Sequence, residues 1–219
     1  MKREALFQKR LAELRAENNQ FPWMLEVAPE FEIPKEQSKL FADRYIEDPT
    51  LSDEEVERRA LLDLTSYNFW SFYKRLNYEH RRARRYKRDL SLLLVAIDEF
   101  DTIAAEFGLT FENQVVLAVG RILLGAIRDV DIAGRCRDDT FGVILPETSI
   151  AGAEIAAERI RTNMEEQVVA SGSVKVVYVT VSVGGTSLGD NEPVDVMVGR
   201  AIEALKGCFA EGGNQIDLV

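Results

Sequence analysis

The sequence predicts an α+β protein in which helices flank a central, mainly antiparallel sheet, with an α-helical extension before this domain. Two observations support the prediction. From Asp89 to Val219, strand-like and helix-like stretches follow in the order β-α-β-β-α-β-α-β, which we expect to place the helices on one face of the sheet. Before Asp89 the apolar spacing is helical, and 13 of the 19 aromatic residues lie there.

The predicted elements of the domain are distinguished by their apolar spacing. Leu90 to Ile97 is a continuous apolar run, which is typical of a buried central strand. The other elements are a helix over 110–128, strands over 131–135 and 141–145 joined by a tight polar turn, a helix over 149–168, a strand over 174–183, a helix over 194–209 and an edge strand over 215–219. Gly212 and Gly213 end the last helix.

The region before the domain contains two helical patterns and an irregular connector. Residues 1–19 form an amphipathic helix with acidic residues, so we do not expect a signal peptide. Residues 21–34 hold three prolines and form the connector. Ser52 and Glu55 match a capping box, which opens a long helical stretch towards Arg88.

An aromatic cluster lies in that stretch, and its members are spread around the helix. They are Tyr67, Phe69, Trp70, Phe72 and Tyr73. A helix that is apolar all round must be buried. Two interpretations remain open: packing onto the following domain and the N-terminal helices, or an interface with a partner protein or a second copy.

The charge of the chain is acidic but uneven. There are 37 acidic and 27 basic residues, a net charge of −10, which argues against general binding to nucleic acid or anionic membranes. Lys74 to Arg88 nevertheless holds eight Lys/Arg residues and one Glu, a net of +7. This basic segment is either a solvated helix face or a docking surface for an acidic partner or for the acidic face of a second copy of this protein.

The cysteine and histidine content limits the chemistry that is available. Cys136 and Cys208 are far apart and form no CxxC spacing, which is typical of a reducing compartment and argues against a structural zinc. His80 is the single histidine, so a His-based triad is not expected. No apolar run reaches the roughly 20 residues that span a bilayer. We therefore expect a cytoplasmic protein.

The polar turn and its surroundings carry a family resemblance. Arg128 to Pro146 reads RDVDIAGRCRDDTFGVILP, which resembles the RxxDxxxRxGGDEF motif and following strand of the GGDEF domain of diguanylate cyclases. Further segments resemble other motifs of that family in the same order: Asp63 to Thr65, Ala96 to Phe100, Phe107-Gly108, Thr180 to Gly184 and Ala204 to Asn214. The resemblance implies a palm-like nucleotidyl-cyclase fold over residues 63–219 and leaves residues 1–62 as the helical extension.

The resemblance also implies that catalysis is lost. The family's first-strand metal aspartate falls on Ala96, which cannot coordinate a cation. The two turn glycines, which let the backbone approach phosphates, fall on Arg137 and Asp138. The third motif position survives as Asp139, and the fourth, normally Glu, is Thr140. Joining two GTP molecules needs metal-bound phosphates, so we expect no catalytic residue, no metal and no cofactor.

Substrate contacts of the family are missing as well. The guanine-reading Asn and Asp fall on Ala104 and Asn113, and the phosphate-binding Lys and Arg fall on Phe209 and Gly213. A site that relies on buried hydrogen bonds loses discrimination when their partners are removed.

Asp98 has two interpretations. It lies two residues after Ala96 and so on the same face of the strand, where it could join Asp138 and Asp139 in a displaced metal site. The alternative is a structural aspartate near the strand end.

The RxxD pattern upstream of the turn is retained. Arg128 and Asp131 stand where the family places its inhibitory site for cyclic di-GMP, and Arg135 and Arg137 are expected to add positive charge. An arginine grips a phosphate or a guanine edge, and an aspartate accepts hydrogen bonds from guanine N–H groups. Alternatively, Asp131 caps the turn and Arg128 is a solvated helix end.

These expectations lead to two functional hypotheses. The first is a degenerate, inactive GGDEF protein that acts as a cyclic di-GMP receptor through the RxxD site and thereby controls a contact with a partner protein or homodimer through the aromatic helical region. The second is an interaction module that binds no nucleotide.

Overall fold

The computed structural model describes Leu61, Leu64 and residues 69–107, 109–165, 168–171 and 176–219. Apart from Leu61, the predicted extension over residues 1–62 lies outside these residues, as do the capping box at Ser52 and Tyr67 of the aromatic cluster.

The described elements include those predicted for the domain. In chain order they are α1 Phe69–Tyr86, β1 Leu90–Ile97, α2 Phe100–Phe107, α3 Leu109–Ala126, β2 Ile132–Arg135, β3 Thr140–Pro146, α4 Ile150–Glu165, β4 Val168–Ser171, β5 Val176–Tyr178, β6 Val181–Ser187, α5 Val194–Ala210 and β7 Ile216–Leu218. Neither α2 nor the small β4–β5 hairpin is predicted from the sequence.

The main sheet has five strands in the order β2-β3-β1-β6-β7. β1 lies at its centre and pairs antiparallel with β3 and β6, while β2 pairs antiparallel with β3. The edge strand β7 pairs parallel with β6. The α+β class with a mainly antiparallel sheet and the final edge strand are therefore confirmed.

Helices cover both faces of this sheet, so the expectation of helices on one face is wrong. Phe141 of β3 joins residues of α3 and α4 in the main core. On the opposite face, Gly142 meets Phe72 of α1, and Gly184 meets Leu205 of α5. The reason lies in β1, whose eight residues are all buried, because an apolar strand in the middle of a sheet needs cover on both sides.

The aromatic helix α1 packs against the sheet with one face. Phe72 and Leu76 are buried there. A Cβ added to Gly142 would lie 2.3 Å from Cζ of Phe72, so the ring fits only because β3 has glycine at this position. The hydroxyl of Tyr73 donates a hydrogen bond to Asp195 and joins α1 to α5. Packing onto the domain, the first interpretation of the aromatic cluster, is confirmed for this face.

Thr180 interrupts the strand predicted over 174–183. The structure has two strands there, β5 and β6, separated by Val179 and Thr180. The carbonyl of Thr180 accepts from the backbone N–H of Asp98 at 3.0 Å, and its hydroxyl donates to the Asp98 carboxylate at 2.7 Å. The backbone bond continues the register in which Ile97 of β1 pairs with Val181 of β6. The interruption therefore separates β5, which pairs with β4, from β6, which pairs with β1.

The cysteines and the histidine are buried. Cys136 and Cys208 are free thiols, and burial raises the pKa of Cys136 to about 12. Nε2 of His80 lies 2.8 Å from the carbonyl oxygen of Glu192. Among the residues that the structure describes, no helix is long and apolar enough to cross a membrane.

Candidate ligand site

Arg128 and Asp131 form a closed turn between α3 and β2. The backbone N–H of Asp131 donates to the carbonyl of Arg128 at 3.0 Å. In return, Oδ2 of Asp131 accepts from the backbone N–H of Arg128 at 2.8 Å. One carboxylate oxygen therefore caps the turn, as the structural interpretation of Asp131 predicts.

The other carboxylate oxygen of Asp131 has no partner among the residues that the structure describes. Asp131 is only 6% exposed, and its Oδ1 is buried without a hydrogen bond among the described residues. Burial raises the pKa of the Asp131 carboxyl, while the backbone hydrogen bond from Arg128 and the charges of Arg128 and Arg159 oppose this rise. A buried acceptor without a partner costs free energy and calls for an explanation.

Arg159 is a third member of this group, and the sequence reasoning missed it. It lies on α4, and its Nε donates to the carbonyl oxygen of Ala126 at the end of α3, at 2.6 Å. Its charge acts on the carboxyl of Asp131. No local motif marks Arg159, because only the packing of α4 against the end of α3 brings it to the turn.

Arg135 and Arg137 lie at the opposite end of β2 from Asp131. Four residues of strand separate Arg135 from Asp131, or about 13 Å. Nε of Arg135 donates to the carbonyl of Arg137 at 3.1 Å, and Arg137 lies 3.9 Å from the carboxylate of Asp139. The structure thus brings Arg128 and Asp131 together but places the other two arginines in the polar turn.

The polar turn between β2 and β3 is closed by its own backbone. The N–H groups of Cys136 and Arg137 both donate to the carbonyl of Thr140, at 2.8 and 3.0 Å. The hydroxyl of Thr140 donates to Asp139 at 2.8 Å, while Asp138 is exposed. The carboxylate of Asp139 therefore already contacts both a hydroxyl and a guanidinium.

Asp98 ties together three parts of the chain. Its carboxylate accepts from the hydroxyl of Ser182 at 2.6 Å, the hydroxyl of Thr180 at 2.7 Å and the backbone N–H of Asn214 at 2.9 Å. These contacts support the structural interpretation of Asp98. The part of the chain that the structure describes contains no group of three His, Cys, Asp or Glu side chains that could hold a metal ion.

Two further positions that the family resemblance singled out, Ala96 and Gly213, carry small residues. Ala96 is 1% exposed and sits between Thr140 of β3 and Ser182 of β6. Gly213 has φ +80°, and a Cβ there would lie 3.0 Å from Oδ1 of Asp98, so a longer side chain at this position would be strained.

Three positions at which the sequence analysis placed the family's substrate contacts lie on helices. Ala104 lies in α2, Asn113 is exposed on α3, and Phe209 is 46% exposed on α5.

The domain has the palm-like nucleotidyl-cyclase fold. Its features are the central antiparallel sheet, the polar turn between β2 and β3, and the RxxD turn before β2. The family model described as "Diguanylate cyclase, GGDEF domain" matches residues 64–215. The chain therefore belongs to the GGDEF family.

Curated and solved relatives agree with this assignment. Diguanylate cyclase A of Treponema denticola is 30% identical over 174 residues, which cover 74% of this chain and 47% of the relative. This chain thus spans about half of that relative's length.

Two solved structures have the same fold. The coiled coil and GGDEF domain of DgcB from Caulobacter crescentus, in complex with c-di-GMP, has a TM-score of 0.68 at 20% identity, covering 97% of this chain and 99% of that one. Diguanylate cyclase SiaD of Pseudomonas aeruginosa, in complex with its activator SiaC, has a TM-score of 0.67 at 22% identity, covering 100% and 88%. At these identities the likeness concerns the fold alone.

Proposed function

We propose that this chain is a catalytically inactive GGDEF protein of the cytoplasm that binds cyclic di-GMP at Arg128 and Asp131, and that the ligand controls a protein–protein contact. The observation that carries the proposal is the buried Oδ1 of Asp131, which lacks a hydrogen-bond donor among the described residues. A guanine base supplies the missing donors through its N–H groups.

The charges around Asp131 suit a cyclic dinucleotide. Arg128 is exposed at the turn, and Arg159 lies close enough to influence the same carboxyl. Guanidinium groups bind phosphates and guanine edges through paired N–H donors. Because Oδ1 is covered, binding requires a side-chain movement within this turn. DgcB, a protein with the same fold, is in complex with c-di-GMP.

The proposed loss of catalysis rests on the hairpin turn and the first strand. Ala96 supplies no metal ligand, and Asp139 already contacts Thr140 and Arg137. Asp138 adds negative charge where a triphosphate would lie. Two-metal phosphoryl transfer depends on carboxylates that hold cations against the phosphates, and these residues do not supply that arrangement.

Calorimetric titration of the full chain tests the proposal. We expect cyclic di-GMP to bind, and GTP with Mg²⁺ to give neither heat nor a cyclic dinucleotide product. Arg128→Ala and Asp131→Asn should each weaken binding of cyclic di-GMP by tenfold or more, on the order of 1.4 kcal/mol. Arg121→Ala is the matched control, because Arg121 is exposed on α3, the helix that precedes the turn, and it should bind like the wild type. Product formed from GTP, or unchanged binding by Arg128→Ala, contradicts the proposal.

An interaction module that binds no nucleotide is the second candidate. The cap between Asp131 and the N–H of Arg128 favours it, because this bond gives Asp131 a structural role that needs no ligand. Flat titrations with cyclic di-GMP and GTP, together with a stable homodimer or partner complex, would support this candidate instead.

A further inference from the structure

The solvent face of α1 carries a stripe of positive charge. Lys74, Tyr78, Arg81 and Arg85 are all exposed and occupy helix positions i, i+4, i+7 and i+11. This spacing puts them on one face of the helix, opposite the face that packs on the sheet. We call these four residues the basic stripe; it is about 16 Å long.

The three cations of the basic stripe make no ion pair within the described residues, and the guanidinium of Arg85 lies 5.4 Å from the ring centroid of Tyr86. Other arginines of the same segment make the ion pairs: Arg75 and Arg82 contact the buried Glu79 at 2.9 and 3.1 Å, and Arg82 also contacts Glu147 at 3.3 Å. No carboxylate among the described residues lies within 4.0 Å of the stripe's three charged groups.

The stability of α1 does not explain why these cations lie together on one face of the helix. Arg81 and Arg85 are four residues apart and repel each other, which disfavours the helix. A cation in the last helical turn is favoured by the helix dipole, and that accounts for Arg84 and Arg85. Lys74 and Arg81 lie further from this end of the helix, where the dipole effect has faded.

We propose that the basic stripe binds an acidic helix of a partner protein, one that presents Asp or Glu side chains at the same i, i+4, i+7, i+11 spacing. The 3- and 4-residue steps are those of a helix–helix contact. Tyr78 supplies an aromatic surface between the charges and is 60% exposed, and aromatic and arginine side chains are enriched at interfaces. The proposal is independent of cyclic di-GMP.

The charge of the rest of the chain favours a short acidic helix, and not a longer polyanion, as the ligand of the basic stripe. Outside residues 74–88 the chain carries a net charge of −17. Nucleic acid or an anionic bilayer extends well beyond a stripe about 16 Å long, so the net negative charge of the rest of the chain would repel it. A helix matched to the stripe in length avoids that repulsion.

The test uses the full chain without nucleotide and a synthetic helical peptide with Glu at the stripe spacing. Fluorescence anisotropy at about 50 mM NaCl measures binding, because exposed charges are weakly screened there. A peptide of the same composition with scrambled Glu positions should bind less tightly. Arg81→Glu/Arg85→Glu should weaken binding by at least about tenfold.

The control is Arg121→Glu/Lys206→Glu, which makes the same change in net charge on α3 and α5 and should change binding by less than about twofold. Circular dichroism verifies folding, and Arg81→Gln/Arg85→Gln replaces the charge-reversed variant if the latter unfolds. Equal losses in both double variants, or no binding of the Glu peptide, overturn the proposal. Tighter stripe-dependent binding of single-stranded DNA or phosphatidylserine vesicles overturns it as well.

Discussion

Asp131→Asn separates the two roles of the Asp131 carboxylate, because the amide oxygen of asparagine can keep the cap while the charge is lost. In the wild type, Oδ2 accepts from the backbone N–H of Arg128 at 2.8 Å, and Oδ1 is buried with no partner in the described part of the chain. An unsatisfied buried polar group costs about 1–3 kcal/mol. The Nδ2 group of the asparagine has no partner in this position among the described residues either, but it is neutral and costs less to bury than a carboxylate. We therefore expect Asp131→Asn to raise the free energy of unfolding by about 1 kcal/mol at pH 7.

Asp131→Ala is the contrasting variant. It removes the cap together with the charge, and loss of a side-chain cap costs about 1 kcal/mol. We expect its stability to lie below that of Asp131→Asn. Urea unfolding followed by circular dichroism measures all three proteins.

The stability difference between Asp131→Asn and the wild type should depend on pH. Burial raises the folded-state pKa of Asp131, so ionisation costs stability in the folded protein. This cost is absent below the unfolded pKa of about 3.9 and appears as the pH rises through the raised folded value. The advantage of Asp131→Asn should therefore be largest near neutral pH and vanish in acid. An asparagine variant that is less stable than the wild type at pH 7, or a pH-independent difference, would refute this reasoning.

Four further predictions concern the packing of the domain, and denaturant unfolding measures each of them. Phe72→Ala should lower stability by about 3–5 kcal/mol, because it empties a buried site against the sheet; a loss below 1 kcal/mol would contradict this packing. Asp98→Ala should cost about 3 kcal/mol, since three donors lose their acceptor, and Asp98→Asn should cost less. Gly184→Ala should cost about 1–3 kcal/mol because the new Cβ would lie 2.2 Å from the backbone nitrogen of Leu205. Gly125→Ala, on α3 with nothing within 4 Å of the new Cβ, should instead stabilise the protein by about 0.5–1 kcal/mol.

The parts of the fold that depend on local patterns were predictable from the sequence. The apolar run of β1 and the polar turn between β2 and β3 specify a central strand and a hairpin without reference to distant residues. Thr180 was not predictable in this way. Its local alternation fits a continuous strand, and the strand is divided because β5 pairs with β4 while β6 pairs with the distant strand β1.

In the candidate site, too, local features were predictable from the sequence and long-range contacts were not. The RxxD spacing predicted that Arg128 and Asp131 come together, because three residues span one turn. Arg135 is close to Asp131 in sequence but far from it in the structure, because the extended strand β2 separates the two by about 3.3 Å per residue. Arg159 was missed because its approach depends on how α4 packs against the end of α3.

Calorimetric titration of cyclic di-GMP into the wild type and Asp131→Asn, with Arg121→Ala as the control, tests the central proposal most directly. We expect the wild type and Arg121→Ala to bind alike. Asp131→Asn, which stays folded and retains the cap, should bind at least about tenfold more weakly, since it lacks the charged acceptor. Equal affinity of Asp131→Asn and the wild type, or no binding by the wild type, would contradict a cyclic di-GMP receptor at this turn.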